Sequence, residues 1–374
     1  MGKEASIPEE FARFISGACA HSPLEPDRPL FWIIIANPRA GGFTIRSRWK
    51  EHRTLLREYS LSLEKVPLRP RAAPALGSGL VLTGHKGHAA SITQELIGEA
   101  LGCLKRGSGE KPLFLIITAG GDGTSLEVLG SLYRAPEEAR SLFAVLRLPM
   151  GTGNDGADAR ELGRALDFLT KDPVIRFQRA LSLSTSAPGK GPFLAFNILS
   201  VGLDAFVTHM TNKMKGRLPG DSYKLWVDLA ALFYDRIYRV GFSEVRALDE
   251  GGKEICAFRE KLILLAVGES GRRTYGSNKR ILPDERNVCA VRQMPLLRKL
   301  ALKGLFSTGE HVSKKESILF NARRIEFSCE YPLLAQMDGE TVLLEKNDFP
   351  AAIELSEPLI PVLGRKEPTT PPTG

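Results

Sequence analysis

The sequence of 374 residues predicts an α/β protein with two domains, an N-terminal domain built on a parallel sheet covered by helices and a C-terminal antiparallel β-sandwich. Between Leu30 and Pro149, apolar runs of strand length alternate with segments of helical periodicity, a pattern typical of parallel sheets. After about Asp167 the sequence changes to short runs of β-forming residues, which favour an antiparallel sandwich. The length agrees with two domains, because single domains usually contain about 100 to 200 residues.

The predicted elements follow from the spacing of apolar residues. In the first half, the predicted strands are Leu30 to Ala36, Gly79 to Thr83, Leu113 to Ala119 and Phe143 to Leu148, and the predicted helices are Ala89 to Leu104 and Ser125 to Tyr133. In the second half, the predicted β-runs are Val174 to Ser184, Phe193 to Val201, Gly241 to Leu248, Ile255 to Val267, Asn287 to Gln293, Ser317 to Cys329 and Val342 to Lys346. One long helix, from a cap at Asp221 or Ser222 to Arg239, interrupts these runs.

We place the domain boundaries where the composition changes. Residues 1–29 form a predicted N-terminal extension, because they combine four prolines with only a short amphipathic stretch around Phe11 to Ile15. The α/β domain is predicted over 30–166 and the β-sandwich domain over 167–355. Residues 356–374 form a predicted C-terminal tail, whose last ten residues hold three prolines.

The composition excludes several classes of protein. With 43% hydrophobic and 25% charged residues, the chain is neither disordered nor collagen-like. No apolar run approaches the roughly 18 to 20 residues of a spanning helix, and the first residues lack the pattern of a secretory signal, so we expect a cytoplasmic protein. The five cysteines lie far apart and form no Cys-x-x-Cys pair, which argues against a disulfide framework or a zinc site.

The net charge of +8 favours a polyanionic partner. A nucleic acid, a nucleotide and an anionic membrane surface all satisfy this condition. Net charge alone therefore does not distinguish these partners, and the sequence motifs are needed to choose among them.

A glycine-rich turn follows the predicted strand that ends at Ala119. The turn is Gly120-Gly121-Asp122-Gly123-Thr124, and Ser125 restarts the chain as a helix. Glycines let a phosphate approach the backbone, and the amides at a helix start attract oxyanions. Asp122 is then suited to hold Mg²⁺ or to order the reacting hydroxyl. The alternative is a strand-to-helix turn that needs glycine only for tightness.

A second glycine-rich turn, Gly151-Thr152-Gly153-Asn154-Asp155, follows the next strand. Open α/β sheets bind their ligands at the carboxyl ends of the strands. A single turn of this kind is typical of a helix start, but the two turns together favour a nucleotide crevice.

Other phosphate-binding signatures are missing from the sequence. It contains no Gly-x-x-x-x-Gly-Lys-[Ser/Thr] loop, no His-Arg-Asp or Asp-Phe-Gly, and no Gly-x-Gly-x-x-Gly after the first strand. P-loop enzymes, protein kinases and dinucleotide-binding Rossmann domains are thereby excluded. The six histidines show no metal-ligand spacing on a helix.

Further short motifs accompany the two turns. In chain order they are Asn37-Pro38-Arg39-Ala40-Gly41, Thr83 with His88-Ala89, Gly120 to Thr124 with Glu127-Val128, Pro149 with Gly151 to Asp155, Asn197 with Gly202-Leu203-Asp204-Ala205, Gly309-x-His311, and Asp338-Gly339-Glu340. Their order and spacing over about Leu30 to Leu355 resemble those of the diacylglycerol kinase catalytic-domain family, which includes bacterial lipid kinases, sphingosine kinases and ceramide kinases. The resemblance implies an N-terminal domain similar to that of NAD kinases.

The resemblance also implies an activity: transfer of the γ-phosphoryl group of ATP to a hydroxyl of a membrane lipid, with Mg²⁺. The residues it assigns to ATP binding, together with the neighbouring turn residues, are Asn37, Arg39, Thr83, Gly120, Gly121, Asp122, Gly123, Thr124, Ser125, Leu126, Glu127, Gly151, Thr152, Gly153 and Asn154. Asp338 and Glu340 match the catalytic acidic pair of the family, and Asp122 is a third catalytic candidate. A carboxylate suits this role because a lipid hydroxyl needs a proton acceptor. By itself, Asp-Gly-Glu is an ordinary hairpin turn.

Two segments depart from the family pattern. After Gly153-Asn154-Asp155 the family has Phe-Ala-Arg or similar, whereas Gly156, Ala157 and Asp158 follow here. The Asp-Gly that can hold a structural metal in the family is missing after Pro283, where Asp284 follows instead. Asp122 and Asp284 are therefore the two candidate metal ligands.

A lipid acceptor implies peripheral contact with the anionic inner face of a membrane, and the resemblance implies no nucleic acid. The candidate basic residues for this contact are Lys213, Lys215, Arg217, Arg272, Arg273, Lys279 and Arg280. Two other functions stay open: an NAD or sugar-phosphate kinase on the same scaffold, and a lipid or nucleotide sensor without catalysis. The lipid itself is open among a diacylglycerol, a sphingoid base and a polyprenol, and so is the oligomeric state.

Overall fold

The computed structural model describes residues 5–63, 79–107, 111–214, 233–275 and 279–366. The described residues separate into two compact units. Unit 1 lies within Met1–Gln178 and Leu359–Gly374, and unit 2 lies within Arg179–Pro358. Elements are numbered below in chain order.

Unit 1 is a sheet of six strands with helices around it. Its strands are β1 (Leu30–Ala36), β2 (Gly79–Leu82), β3 (Leu113–Gly120), β4 (Phe143–Pro149), β5 (Pro173–Gln178) and β19 (Ile360–Arg365). Its helices are α1 (Ile7–Ala20), α2 (Gly41–Thr44), α3 (Arg46–Leu63), α4 (His88–Arg106), α5 (Asp122–Arg134), α6 (Glu137–Arg140) and α7 (Leu162–Thr170). The strand order is β2-β1-β3-β4-β19-β5.

The first four strands of this sheet are parallel. Every residue of β3 and β4 is buried, as expected for strands covered on both faces. The core contains Ile34 and Ile117 from the strands together with Leu166 from α7. The predicted parallel-sheet α/β domain is confirmed.

Three segments that the sequence analysis placed outside this domain belong to unit 1. Helix α1 buries Phe11 and Ile15 in its core, because its apolar residues recur at helical spacing. Strand β19 lies parallel to β4 and antiparallel to β5. Strand β5, predicted within the second domain, therefore forms the edge of the first sheet.

Unit 2 is an antiparallel β-structure. Its strands are β6 (Leu181–Ser184), β7 (Phe193–Ala195), β8 (Ile198–Gly202), β9 (Phe242–Leu248), β10 (Glu254–Gly268), β11 (Arg273–Tyr275), β12 (Lys279–Leu282), β13 (Val288–Arg292), β14 (Ser317–Phe320), β15 (Arg324–Cys329), β16 (Leu333–Met337), β17 (Glu340–Leu344) and β18 (Ala351–Leu355). Its helices are α8 (Leu203–Met214), α9 (Tyr234–Ile237) and α10 (Leu296–Thr308), with 3₁₀ turns at Glu310–Ser313 and Lys346–Asp348.

The long strand β10 joins the two halves of this sheet. Its first half pairs with β9, and its second half pairs with β8 and β13. Apolar side chains of both halves share one core, for example Val245 and Ile325 with Val201 and Val267. The predicted antiparallel second domain is confirmed.

The predicted long helix lies mostly outside the described residues. Its described end holds the short helix α9. Lys215 and Arg217, two of the candidate membrane residues, also fall outside the described ranges. Of the helices that the structure describes, none is both long and apolar enough to cross a membrane.

Candidate functional site

Three loops of unit 1 meet at the carboxyl ends of β1, β3 and β4. These strands are neighbours in the sheet, so their carboxyl ends lie side by side. The amide of Asn37, just after β1, donates to the carbonyl of Ala119 at 3.0 Å. The amide of Gly42 donates to the carbonyl of Met150 at 2.8 Å. The predicted juxtaposition of the two glycine-rich turns is therefore present, and the Asn37 loop joins them.

Glycine allows these loops to touch. A Cβ on Gly151 would lie 2.7 Å from the Cα of Gly121, and one on Gly42 would lie 2.7 Å from Cε of Met150. Real Cβ contacts are longer, so Gly151, which meets backbone, requires glycine, whereas at Gly42 the end of the Met150 side chain would have to move. Gly121 differs, because its Cβ would make an ordinary van der Waals contact of 3.9 Å with the Cα of Gly151. The protein itself would therefore accept a side chain at Gly121.

Asp122 joins the first glycine-rich turn to the second. It is the first residue of α5, and its Oδ1 accepts the amide of Gly156 at 2.9 Å. Burial raises the pKa of the Asp122 carboxyl above its ordinary value. Backbone hydrogen bonds from Gly156 and Asp155 lower that pKa in part, and so does the charge of Arg147. Asp122 is thus a carboxyl of increased proton affinity beside the turn that the sequence singled out.

Glu127 contacts the start of α4. Its Oε1 accepts the amide of Gly87 at 2.7 Å, and its Oε2 accepts the amide of Ala89 at 3.1 Å. Amides at a helix start have no partner within the helix, so Glu127 supplies a cap from another element. The predicted role of Glu127 in nucleotide binding stays a prediction, in addition to this capping role.

Glu127→Ala is expected to lower the melting temperature without changing ATP affinity. Removing a helix cap costs about 0.5–2 kcal/mol. In a domain of roughly 150–250 residues, the size of unit 1, each kcal/mol corresponds to about 2–4 °C. Differential scanning calorimetry and ATP titration below the transition measure both effects. A weaker affinity for ATP at an unchanged melting temperature would instead place Glu127 in the nucleotide site.

The other predicted nucleotide residues lie in or beside these loops. Oδ1 of Asn37 accepts the amide of Arg39 at 3.0 Å, which leaves the Arg39 side chain exposed. The hydroxyls of Thr118 and Ser125 lie 3.0 Å apart. Asn154 has a φ of 60° and donates from Nδ2 to the carbonyl of Pro149 at 3.1 Å. The remaining predicted members in this part of the unit are Thr83, Gly120, Gly123, Thr124, Leu126, Thr152 and Gly153.

The sequence analysis missed Arg48. Its Nη1 donates to the carbonyl of Gly151 at 3.1 Å and would lie 3.3 Å from a Cβ on Gly41. Arg48 is the third residue of α3, the helix that follows the Asn37 loop. The sequence did contain a signal for Arg48, because a cation in the first helical turn after a glycine-rich loop is typical of a phosphate site. The structure places the Arg48 guanidinium beside the second glycine-rich turn.

Asp158, which departs from the family pattern, has a defined partner. Its Oδ2 accepts the amide of Arg147 at 2.6 Å, and its Oδ1 accepts Nη2 of Arg147 at 2.5 Å. Nη2 of Arg147 also donates to Oε1 of Gln178 at 3.0 Å. Both charged side chains are less than 10% exposed. The segment after the second turn is therefore tied to β4.

Asp338 lies in unit 2, in the hairpin turn between β16 and β17. Both turn residues have positive φ, 46° at Asp338 and 98° at Gly339, as in a type I′ turn. The Asp338 carboxylate accepts the amides of Phe196, Asn197 at 3.1 Å and Ile198 at 2.9 Å. Both oxygens are used, so Asp338 holds the turn between β7 and β8.

A polar network surrounds this hairpin. Ser200 donates to Oδ2 of Asp204 at 2.6 Å, and Nε2 of Gln336 lies 3.0 Å from the Ser200 hydroxyl. Burial raises the pKa of Asp204. The amide of Gly339 donates to Oε1 of Gln336 at 3.1 Å. Glu340 begins β17 beside this turn and is partly buried.

Asp284, the second candidate metal ligand, contacts Arg286. Its carboxylate accepts hydrogen bonds from the guanidinium and from the amide of Arg286. These bonds hold the pKa of Asp284 below its ordinary value. Across the described ranges, no three His, Cys, Asp or Glu side chains are grouped as a metal site would require. The metal-binding roles of Asp122 and Asp284 stay predictions.

The predicted basic residues of unit 2 are partly paired. Arg272 binds Glu285, and Arg273 binds Glu269. Pairing neutralises much of their attraction for an anionic surface. Lys213 lies in the last turn of α8, and Lys279 and Arg280 lie in β12.

Comparison with known proteins agrees with this geometry. Residues 31–180 match the model of the diacylglycerol kinase catalytic domain. A protein of Xanthomonas oryzae pv. oryzae named "Probable lipid kinase YegS-like" is 26% identical over 236 residues, which cover 60% of this chain and 72% of that protein. A protein of the same name from Chromohalobacter salexigens is 26% identical over 270 residues, covering 67% of this chain and 76% of that protein.

Two solved structures share the fold. Both come from Bacillus anthracis and are described as "a putative diacylglycerol kinase". The first has a TM-score of 0.56 at 16% identity and covers 89% of this chain and 96% of its own. The second has a TM-score of 0.54 at 17% identity, with the same coverage. These two structures show the fold, and the sequence matches agree with the resemblance drawn from the motifs.

Proposed function

We propose that the chain is an ATP-dependent lipid kinase, because residues 31–180 match the model of the diacylglycerol kinase catalytic domain. The reaction transfers the γ-phosphoryl group of ATP to a hydroxyl of a membrane lipid and requires Mg²⁺. The single observation that supports nucleotide use best is the meeting of three loops at the carboxyl ends of β1, β3 and β4, the edge at which open α/β sheets bind their ligands. At Gly121 the absence of a side chain would let a phosphate approach the backbone.

The residues of unit 1 fit a nucleotide phosphate. Amides at the start of α5 point out of the helix, and a helix start of this kind favours an anion. Exposed Arg39 and partly buried Arg48 add positive charge at the neighbouring loops. When bound with the phosphates, Mg²⁺ would neutralise the charge that develops during transfer. It usually keeps several waters and one or two carboxylates, and Asp122 is the candidate protein ligand. A cation bound there would lower the proton affinity of this carboxyl, so binding Mg²⁺ and accepting the proton are alternative roles for Asp122.

We propose that Asp122 accepts the proton of the lipid hydroxyl. A general base works best when its pKa approaches the working pH, and burial moves the pKa of Asp122 in that direction. Asp338 is less suited, because its two oxygens already accept three backbone amides. Hydrogen bonds to a carboxylate lower its affinity for a proton. Asp338 is therefore proposed to position the β7–β8 turn.

The lipid that accepts the phosphoryl group also determines where the protein acts. A lipid hydroxyl is presented at a membrane surface, so the chain would act in peripheral contact with anionic lipids on the cytoplasmic side. A diacylglycerol, a sphingoid base and a polyprenol are the candidate acceptors.

The test of this function is mass spectrometry of a total lipid extract after incubation with the protein, Mg²⁺ and ATP. A new phosphorylated lipid is expected, and it identifies the acceptor. NAD and sugar phosphates are assayed in parallel. Phosphorylation of either of these in place of a lipid would favour the second kinase function. ATP binding without any phosphorylated product would favour a sensor.

Gly121→Ala is expected to weaken ATP binding at least about tenfold, because a Cβ would meet the phosphate. The protein itself accommodates this Cβ, since φ is −90° and the nearest atom is 3.9 Å away. The melting temperature should therefore stay the same or rise slightly. Calorimetric titration with ATP measures the effect.

Gly151→Ala is the matched control, because its Cβ would lie 2.7 Å from the Cα of Gly121. It should lower the melting temperature through a clash within the protein. Unchanged ATP affinity in Gly121→Ala would show that the first turn does not contact the nucleotide.

A further inference from the structure

Helix α10 exposes an apolar face. Leu297 is 80% exposed, Leu300 47% and Leu296 37%. Among the side chains of this helix that the structure describes, the exposed ones are uncharged apart from Arg298, whose side chain is 42% exposed and paired. The uncharged exposed positions are Leu296, Leu297, Leu300, Ala301, Gly304, Ser307 and Thr308. A surface helix normally presents charged residues to solvent, so the pattern here is reversed.

Two charged side chains of α10, Lys299 and Arg298, are paired with residues of neighbouring segments. Lys299 is 8% exposed, and its Nζ lies 2.7 Å from Oδ1 of Asp235. Arg298 Nε lies 2.7 Å from Oε1 of Glu316. Burying a lysine is unfavourable unless it is paired. The helix therefore buries a lysine while it leaves Leu297 and Leu300 in water, which indicates an apolar partner for the outer face.

The two segments that bind Lys299 and Arg298 carry further cations. Arg236 and Arg239 flank Ile237, which is 55% exposed and lies two residues from the Asp235 that binds Lys299. Lys314 and Lys315 immediately precede the Glu316 that binds Arg298. Within the described part of the chain, these four cations have no carboxylate at ion-pair distance. Arg236 and Arg239 lie over aromatic rings, which leaves their charge uncompensated. We define the α10 surface as the three leucines, Ile237 and these four cations.

We propose that the α10 surface docks the protein on an anionic lipid bilayer. The leucines enter the boundary between headgroups and acyl chains, and the cations contact anionic headgroups. The inference deepens the proposed function, because only a lipid acceptor requires the chain to sit on a membrane. It assigns the contact to residues other than the basic clusters that the sequence suggested.

A bilayer fits this surface better than a second copy of the chain. Symmetric packing would bring the same four cations of two copies together, and the net charge of +8 adds to that repulsion. Stable dimers bury about 800 Å² per partner, far more than three leucines provide. An anionic bilayer instead complements both the apolar centre and the cationic rim.

The opposite face of α10 connects the docking surface to the Asp338 turn within unit 2. Leu302 is buried in a core cluster that also contains Ile198. The amide of Ile198 donates to the Asp338 carboxylate. A bilayer bound to α10 would therefore hold this turn at a fixed depth relative to the lipid.

Flotation with vesicles tests the proposal, using the full chain without nucleotide. The vesicles contain phosphatidylcholine with or without about 30% phosphatidylglycerol. The double variant Leu297→Glu, Leu300→Glu is expected to lower binding to the anionic vesicles at least about tenfold. Leu61→Glu is the matched control, because Leu61 is 60% exposed on helix α3 of unit 1. It should leave binding within about twofold of wild type.

The contact between the four cations and anionic headgroups is tested separately. Lys314→Glu with Lys315→Glu should weaken binding only to the vesicles that contain phosphatidylglycerol. Raising the salt concentration should weaken wild-type binding, since exposed charges are screened beyond about 10 Å at 0.1 M. Vesicle binding that depends on neither lipid charge nor salt concentration would overturn the proposed role of the four cations.

Unchanged vesicle binding by the leucine double variant, at a native melting temperature, would overturn the proposal. If glutamate lowers the melting temperature, Leu297→Ser with Leu300→Ser is measured instead. Light scattering that shows a wild-type dimer and a monomeric variant would overturn it in favour of a second copy.

Failure of the docking surface and failure of the kinase proposal are distinguishable. A short-chain acceptor below its micelle concentration reports turnover without a membrane. Turnover on that acceptor, with vesicle binding independent of α10, would overturn the docking surface alone. Vesicle binding that depends on α10, with no lipid phosphorylated, would support docking and contradict the kinase.

Discussion

Replacing Asp122 with asparagine is expected to lower phosphoryl transfer at least about a hundredfold without loss of stability. Asparagine keeps an oxygen that can accept the amide of Gly156, so the tie between the two glycine-rich turns survives. It removes the ability to take a proton from the lipid hydroxyl. Turnover with saturating ATP and lipid, measured beside the melting temperature, separates the two effects.

The pH dependence has a defined direction. Burial raises the pKa of Asp122, so wild-type activity should fall, as the pH is lowered, at a higher pH than an exposed aspartate would give. A raised pKa in the folded state means that ionisation of Asp122 weakens the folded state above the pKa of the unfolded chain. Asparagine does not ionise, so Asp122→Asn should keep or raise the melting temperature at neutral pH.

Asp158→Asn is the matched control for Asp122. It removes one partner of the buried pair with Arg147, a change that costs about 3–5 kcal/mol. The melting temperature should therefore fall, while turnover at a temperature well below the transition stays close to that of wild type. If Asp122→Asn keeps more than about a tenth of wild-type turnover, Asp122 is not the proton acceptor.

The sheet of unit 1 was predictable because its signal is local. The apolar runs that form β1, β3 and β4 are nearly unbroken, with Arg147 as the one charged residue among them, as expected for strands buried on both faces. Strand β19 was not predictable in the same way. It is a short run that follows Pro358 and contains Pro361, and its place between β4 and β5 is decided by pairing with distant segments.

The loops of the site were predictable, but the partners of their side chains were not. Glycine turns are visible in sequence because they follow strands at short range. Asp122 binds an amide 34 residues away, and Glu127 binds amides 38 and 40 residues away. Glycines of the two turns also differ physically. A Cβ on Gly151 would clash with the Cα of Gly121, whereas a Cβ on Gly121 would make an ordinary contact at 3.9 Å.

Asp338→Asn is expected to act mainly on stability. The carboxylate accepts the amides of residues 196–198 on both oxygens, and asparagine would replace one acceptor oxygen with an NH₂ group. An amide left buried without a partner costs about 1–3 kcal/mol, and the lost charge adds to this. We expect the melting temperature to fall by about 5 °C or more. The turn itself should persist, because asparagine tolerates the positive φ of this position.

Asp249→Asn provides the control for Asp338. Asp249 is also a turn aspartate of unit 2, but both amides that it binds, those of Gly251 and Lys253, donate to one oxygen. Asparagine keeps that oxygen, so the melting temperature should hardly change. Turnover of Asp338→Asn is then measured well below its transition, where a positioning role predicts a higher KM for the lipid and unchanged ATP affinity. If instead its melting temperature is unchanged and kcat falls a hundredfold or more, Asp338 is the proton acceptor that the family resemblance implies.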